Sequence, residues 1–214
     1  MVFENNVHAP ALFIFISLII FMFILYLYYL INGERQHKKV LKDQAKKRNG
    51  IVSSGFLTGG FSLNFTHNLN EVKVWLLSTR SATFTYFEVE LYKNTNQKMR
   101  IYKETMLSKA GKKLGMQDIQ IGYEGFDKEV MIKGTDENFV IDILTYEIQD
   151  KIIKIIRKHK ANIVLDDKLL RLTMPKFVKT NESFDEIMDL TLNIADKITE
   201  NKKLYYKTER SPVT

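Results

Sequence analysis

The sequence predicts an α+β protein, in which an N-terminal transmembrane helix precedes a mostly antiparallel sheet packed with amphipathic helices. Three observations predict this class: an uncharged apolar run over 11–31, apolar and polar residues alternating between 61 and 101, and apolar residues at helical spacing between 148 and 198. A chain of 214 residues leaves room for one domain after the helix, and its 45% hydrophobic composition is that of a packed protein. We therefore expect one folded domain over 51–200.

The cysteine count and the net charge narrow the classes of function. The sequence has no cysteine, so it has no disulfide framework, no thiol nucleophile and none of the thiolate ligands that structural zinc usually requires. The formal net charge of +7 suits a membrane surface as well as a nucleic acid. The position of the basic residues therefore has to separate these two classes.

The apolar run from Ala11 to Ile31 is predicted to cross the membrane once. About 20 apolar residues span the hydrocarbon core as a helix, and this run contains no charged residue. A cleaved signal peptide would begin with basic residues and end on small ones, whereas Glu4 precedes this run and tyrosines lie near its end. The segment is therefore expected to stay attached as an anchor, after a short extracytoplasmic N-terminus over 1–10.

A basic segment follows the apolar run and is expected to be a juxtamembrane linker over 32–50. Its basic residues, which we call the basic cluster, are Arg35, Lys38, Lys39, Lys42, Lys46, Lys47 and Arg48. By the positive-inside rule they predict a single-pass protein of the cell inner membrane, with the N-terminus outside and the domain in the cytoplasm. The cluster either determines topology alone or also binds anionic head groups. Because most of the excess positive charge lies here, no nucleic acid is expected as a partner.

Strands are predicted in the first half of the domain. Phe61, Leu63 and Phe65 alternate with polar residues after a glycine-rich stretch, and we expect an edge strand there. Alternation is clearest over 72–77 and 83–92, where every second residue is apolar or small. A turn signal separates these segments from Met99 and Ile101, which resume the alternation. The expected arrangement is an antiparallel meander.

The second half of the domain is predicted to combine short hairpins with helices. A helical face over 106–114 ends at Gly115, which suits a left-handed C-terminal cap. Ile119 and Ile121 with the alternating residues 126–134 predict a hairpin, and a further hairpin is expected over 163–174. Between them Thr145 is expected to cap a helix whose isoleucines at 148, 152, 155 and 156 share one face.

The last helix is expected to be structural. Ser183 and Glu186 have the spacing of a capping box at its start. Apolar residues then repeat at helical spacing: Ile187, Ile194 and Ile198. Such a stripe on a capped helix is normally buried against a sheet. The polar tail over 201–214 is expected to fray.

No catalytic, cofactor-binding or metal-binding residue is predicted. Of the four histidines only His67 and His159 are expected in the folded domain, and no histidine has metal-ligand spacing. The sequence contains neither a phosphate-binding glycine loop nor a nucleophile elbow. Trp75, Tyr86 and Tyr92 lie on predicted strands and are suited to stacking on nucleobases, but packing within the sheet is the expected role.

Acidic residues that are close in sequence are expected in turns or on the surface. Two carboxylates act as acid and base only where a pocket separates their pKa values. An enzyme therefore remains the alternative, and its site would have to gather scattered residues such as Glu124, Asp127, His159 and Asp166 in one concave pocket.

The segment from Ile119 to Ile156 carries a resemblance to known sequences. It contains Phe126-Asp127-Lys128 and Leu144-Thr145, and the run LDDKLLRLTMP and an amphipathic helix follow. Over roughly residues 119–200 this pattern resembles uncharacterised bacterial membrane-anchored proteins with a domain of unknown function. The resemblance implies a membrane-tethered bacterial protein and supplies no catalytic residue.

These observations favour a membrane-tethered, non-enzymatic cytoplasmic interaction domain that binds a protein partner, whose identity and stoichiometry the sequence does not indicate. Besides an enzyme, a second alternative is a peripheral domain that senses anionic lipid, in which Lys109, Lys112 and Lys113 would lie beside the basic cluster. No cofactor is expected. A chain beginning near Asn49 is expected to fold by itself, because the domain has its own apolar periodicity.

Overall fold

The computed structural model describes residues 8–54, 60–79, 81–103 and 117–209, with side chains described between 12 and 201. Its helices are α1 His8–Lys47, α2 Glu124–Asp127, α3 Glu137–Ile143, α4 Tyr146–His159 and α5 Asn181–Glu209. Its strands are β1 Ile51–Ser54, β2 Phe61–His67, β3 Asn70–Ser78, β4 Thr83–Glu90, β5 Lys98–Lys103, β6 Gln117–Ile119, β7 Val130–Gly134, β8 Asn162–Asp166 and β9 Leu169–Met174. The predicted α+β class, with a long apolar helix first, is confirmed.

The strands of the described residues form one antiparallel sheet in the order β1-β2-β3-β4-β9-β8-β5-β7-β6. The predicted meander is wrong at β5, because the β8–β9 hairpin lies between β4 and β5. After β4 the chain crosses the end of this hairpin, where the amide of Leu91 donates to the carbonyl of Lys168 at 2.8 Å. The predicted edge strand at Phe61 is also one position inside the sheet, since β1 pairs with its outer side.

The two faces of the sheet differ in their surroundings. On the face that we call the helix face, alternating residues of β3, β4, β8 and β9 are buried under the helices: Val72, Val74, Phe87, Val89, Ile163, Leu165, Leu170 and Leu172. Helix α5 contacts β4 and β9, and α1 contacts β1 and β2. The opposite face, which we call the open face, is not covered by any helix of the described residues. The alternation in the sequence therefore identified the buried side of these strands correctly.

Helix α1 continues without a break from the apolar run through the basic segment to Lys47. Its second half is amphipathic, with a buried stripe that lies against the sheet and α5: Gly33, His37, Val40, Leu41, Gln44 and Ala45. A Cβ atom at Gly33 would lie 2.7 Å from the ring of Phe177, so any other residue here would have to displace that ring. The segment expected to be a linker is thus a helix whose inner face joins the core. The division of the chain into domains at residue 50 stays a prediction.

Helix α5 buries the isoleucine stripe, with Ile187, Ile194 and Ile198 all on its inner side. The expected capping box is wrong, because the helix begins earlier, at Asn181. Its first turn is capped by Thr180, whose hydroxyl accepts from the amide of Ser183 at 3.2 Å. The Glu186 side chain is consequently free to bind elsewhere.

Local differences from the expected elements have identifiable causes. Thr145 occupies the N-cap position of α4, but its side chain makes no capping hydrogen bond. The strand expected from Phe126 begins only at Val130, because 124–127 form the helical turn α2 and the Asp127 carboxylate accepts from the amides of 121 and 122. The helix expected over 106–115 lies outside the described residues.

Candidate functional site

The basic cluster is divided between the core and the surface. Arg48 is largely buried, and its Nη2 donates to Asp185 on α5 at 2.9 Å. The Lys47 ammonium donates to the other oxygen of the same carboxylate at 2.8 Å. The Lys38 ammonium lies 3.9 Å from the centroid of the Phe61 ring. The remaining members are exposed on the outer side of α1: Arg35, Lys39, Lys42 and Lys46.

The contact between Arg48, Lys47 and Asp185 fixes α1 to α5. Burial alone would raise the pKa of the Asp185 carboxyl, but the hydrogen bonds from Lys47 and Arg48 hold it below its ordinary value. The Arg48 guanidinium also lies over the rings of Phe65 and Phe184, 5.7 and 5.9 Å from their centroids. Two members of the basic cluster therefore have a structural role that the sequence did not reveal.

The scattered residues of the enzyme hypothesis have separate partners. Glu124 pairs with the neighbouring Lys128, and Asp127 binds backbone amides in the turn before it. His159 approaches Glu186 at 3.5 Å, whereas Asp166 pairs with Lys98 at 2.9 Å. These contacts lie in different parts of the fold. Among the described residues, no group of three or more acidic, histidine or cysteine side chains is arranged to hold a metal ion.

The open face carries a set of interacting polar and aromatic side chains. Cross-strand register places Trp75 of β3 opposite Tyr86 of β4, and Glu88 of β4 opposite Lys73 of β3 on one side and Arg171 of β9 on the other. Residues that alternate with the buried ones necessarily share this face. We call Lys73, Trp75, Tyr86, Glu88 and Arg171 the open-face cluster.

Glu88 is the centre of the open-face cluster. Its carboxylate accepts from the Trp75 indole nitrogen at 2.7 Å and from Arg171 Nε at 2.6 Å. The side chain of Glu88 is only 12% exposed, whereas that of Arg171 is 39% exposed. Both carboxylate oxygens are thus occupied, and the guanidinium presents its remaining donors to solvent. The arrangement fixes the Glu88 side chain between Trp75 and Arg171.

The aromatic pair of the cluster is stacked and partly exposed. The rings of Trp75 and Tyr86 are 4.4 Å apart with an interplanar angle of 18°. Arg171 lies 5.5 Å from the Tyr86 centroid, and Lys73 lies 5.8 Å from the Trp75 centroid. Phe84 extends the aromatic surface, with its ring 6.4 Å from that of Tyr86. The sheet therefore presents a flat aromatic platform edged by cations.

Shallow depressions adjoin the open-face cluster around Lys73. One has a volume of about 420 Å³ and includes Asn64, Lys73, Glu88 and Glu90 in its wall. Another, of about 380 Å³, lies against Trp75 on the side of β2. Both are open to solvent and neither gathers a nucleophile with a base. Their shape and composition suit the docking of side chains better than the enclosure of a small substrate.

Sequence reasoning found part of this site. It placed Trp75 and Tyr86 on strands as candidate stacking residues, but Tyr92 lies at the end of the sheet and not in the open-face cluster. Glu88 and Arg171 were missed because β4 and β9 lie far apart in sequence. Glu88 could have been found from the sequence, because it lies two residues from Tyr86 on one strand and therefore on the same face.

A second surface lies where α1 leaves the apolar run. The segment between β9 and α5, residues 175–180, packs along the first turns of the basic segment. Lys179 Nζ is 4.3 Å from the centroid of the Tyr29 ring, and His37 Nδ1 donates to the carbonyl of Val178 at 3.1 Å. Together with Phe177 on Gly33, these contacts place the 175–180 segment beside the end of the predicted membrane span.

Comparison with known proteins finds a similar fold among solved structures. No protein-family model and no curated protein matches the chain. Among solved structures, the fold is similar to the crystal structure of the mycobacterial trehalose monomycolate transport factor A, TtfA, with a TM-score of 0.56. The similarity covers 78% of this chain and 94% of that chain at 10% sequence identity. At this identity the similarity shows a shared fold alone, so function has to be argued from the residues of this chain.

Proposed function

We propose that the protein is a membrane-tethered interaction protein without catalytic activity, which binds a protein partner through the open-face cluster. The observation that carries this proposal is the Trp75–Tyr86 stack, held in place by Glu88 and Arg171 on a sheet face that no described helix covers. Tryptophan, tyrosine and arginine are the residues most enriched at binding hot spots. Because the stack is already ordered, binding would cost little side-chain entropy.

We further propose that the protein is anchored in the membrane with its domain in the cytoplasm. The described residues contain one helix that is long and apolar enough to cross a membrane. The exposed part of the basic cluster favours an orientation with the domain in the cytoplasm, by the positive-inside rule.

Photo-crosslinking in intact membranes tests the partner surface. A photoreactive amino acid in place of Thr173, which lies opposite Tyr86 on the open face, should crosslink to a defined protein. The same amino acid in place of Tyr146, which is exposed on α4, is the control on the helix face. Arg171→Glu should abolish the Thr173 crosslink. Equal crosslinks from both positions would contradict the proposal. So would the absence of a Thr173 crosslink in membranes taken from growing cells.

A topology reporter tests the orientation. A reporter fused after Thr214 should be active in the cytoplasm, because moving the basic cluster across the membrane opposes the positive-inside bias. A second fusion at the N-terminus should report the opposite side. Activity of the C-terminal fusion outside the cytoplasm would overturn the orientation and leave the fold unaffected.

A further inference from the structure

The helix that anchors the protein also fixes the height of the domain above the membrane. Helix α1 is continuous, and its rise of about 1.5 Å per residue places Gly33 only about 3 Å beyond Ile31, where the predicted span ends. The domain begins to pack at Gly33 itself, against Phe177. No flexible linker separates the two, so one end of the domain has to lie at the membrane surface.

The segment 175–180 occupies that end. Its Lys179 contacts Tyr29, and Tyr29 lies within the apolar run at a position suited to the membrane interface. Val178 binds His37 two turns further along α1. These contacts set the depth of the segment relative to α1, whatever the tilt of the helix in the bilayer. The segment is therefore at the level of the lipid head groups.

The charge of the segment 175–180 is positive. The segment 175–180 reads PKFVKT, with two lysines and no acidic residue. Neither Lys176 nor Lys179 has a carboxylate within 4.0 Å among the described residues, and Lys176 is exposed. At the far end of the same sheet the lysines are paired, Lys98 with Asp166 and Lys168 with Glu90. Among the described residues, Lys176 and Lys179 thus carry no salt bridge at the end that faces the membrane.

We propose that Lys176 and Lys179, with Arg35 and Lys39 on the exposed side of α1, form a surface that binds the anionic head groups of phospholipids in the anchoring membrane. The positive-inside rule counts residues close to the ends of the span in sequence, so it does not account for lysines that follow β9. Attraction to anionic lipid does account for them, because it depends on distance from the membrane in space. The inference rests on the membrane anchor of the proposed function and is independent of the protein partner.

Amine labelling of the full chain in nanodiscs tests this surface. The protein is placed in discs of phosphatidylcholine or of phosphatidylcholine with phosphatidylglycerol, and lysine acetylation by a neutral reagent is followed by mass spectrometry. Labelling of Lys176 and Lys179 should fall about fivefold in the anionic discs, the factor expected per lysine near such a surface. Labelling of Lys98 and Lys168 should be the same in both discs.

A pair of matched variants separates lipid binding from a structural role. The melting temperature of the wild-type chain should be higher in anionic discs than in neutral discs. Lys176→Gln with Lys179→Gln should remove this difference in melting temperature. Lys98→Gln with Lys168→Gln removes the same number of charges and should leave the difference unchanged. Equal labelling of Lys176 and Lys179 in both discs would overturn the inference, as would a lipid-dependent difference that survives in the first variant. Crosslinking from Thr173 should be unaffected by either variant, so a failure here is distinct from a failure of the partner proposal.

Discussion

Replacement of Leu41 by alanine tests whether the extension of the anchor helix belongs to the folded core. Leu41 is 0% exposed and lies in the stripe of α1 that packs against the sheet and α5. Leucine-to-alanine changes at such sites cost about 2–5 kcal/mol, because apolar contacts are lost and a cavity remains. We expect a loss of about 3 kcal/mol in the free energy of unfolding, which corresponds to about 6–12 °C in melting temperature for a domain of this size.

Leu27 provides the matched control on the same helix. It precedes Leu41 by about four helical turns and so lies on nearly the same side of α1, but it is 41% exposed, within the apolar run. Leu27→Ala makes the same chemical change with the same loss of side chain, and the leucine has only lipid or detergent around it. Its melting temperature should therefore equal that of the wild type.

The measurement is thermal unfolding of the full chain in detergent micelles. The near-ultraviolet circular dichroism of the stacked Trp75 and Tyr86 reports on the open face of the sheet, which is opposite the face that packs against α1. If Leu41→Ala and Leu27→Ala melt at the same temperature, the second half of α1 is not part of the core. The inference on the height of the domain would then lose its basis.

The remaining predictions concern the limits of the domain, its last helix and its pH dependence. A chain beginning at Asn32 should unfold at a higher temperature than one beginning at Asn49, because the shorter chain lacks the buried stripe of α1. Equal melting temperatures would show that the domain from Asn49 onward folds without that stripe. Ile194→Asp should unfold the domain, because a buried, unpaired carboxylate at a 0% exposed site costs several kcal/mol of a total of about 5–15; an unchanged melting temperature with loss of partner binding would make that stripe a docking surface. Burial, with Lys158 and Lys176 nearby, lowers the pKa of His159 against the opposing effect of Glu186, so the unfolded chain binds this proton more readily than the folded one. The melting temperature should therefore fall as pH decreases through about 6.5, and His159→Gln should reduce that fall; an unchanged pH profile would exclude the contribution.

Alternation predicted the faces of the strands well, because it depends only on local geometry. Successive residues of a strand point to opposite sides, so the apolar set of β3 and the apolar set of β4 each had to lie on one face. The structure buries Val74 and Phe87 and leaves Trp75 and Tyr86 on the other side. The stripe of α5 followed from helical spacing in the same way.

Strand order could not be read from the sequence, because pairing is a contact between distant segments. β5 follows β4 directly in the chain, and a short turn signal between them favours a hairpin. The β8–β9 hairpin instead supplies a neighbour to each of these strands, β9 to β4 and β8 to β5. The open-face cluster depends on the same strand pairing, since Arg171 reaches Glu88 only when β9 lies beside β4.

The sequence by itself determined the long apolar helix, the class of the fold and the buried side of the main strands, because each follows from the composition or spacing of neighbouring residues. Only the tertiary structure decided that the basic segment is a core helix. Its inner stripe includes Gly33, His37 and Gln44, which interrupt any apolar pattern, and they are buried because Phe177, Val178 and Asn181 lie opposite them. These partners come from the other end of the chain. A contact of that kind is set by the packing of the whole domain, and no local pattern predicts it.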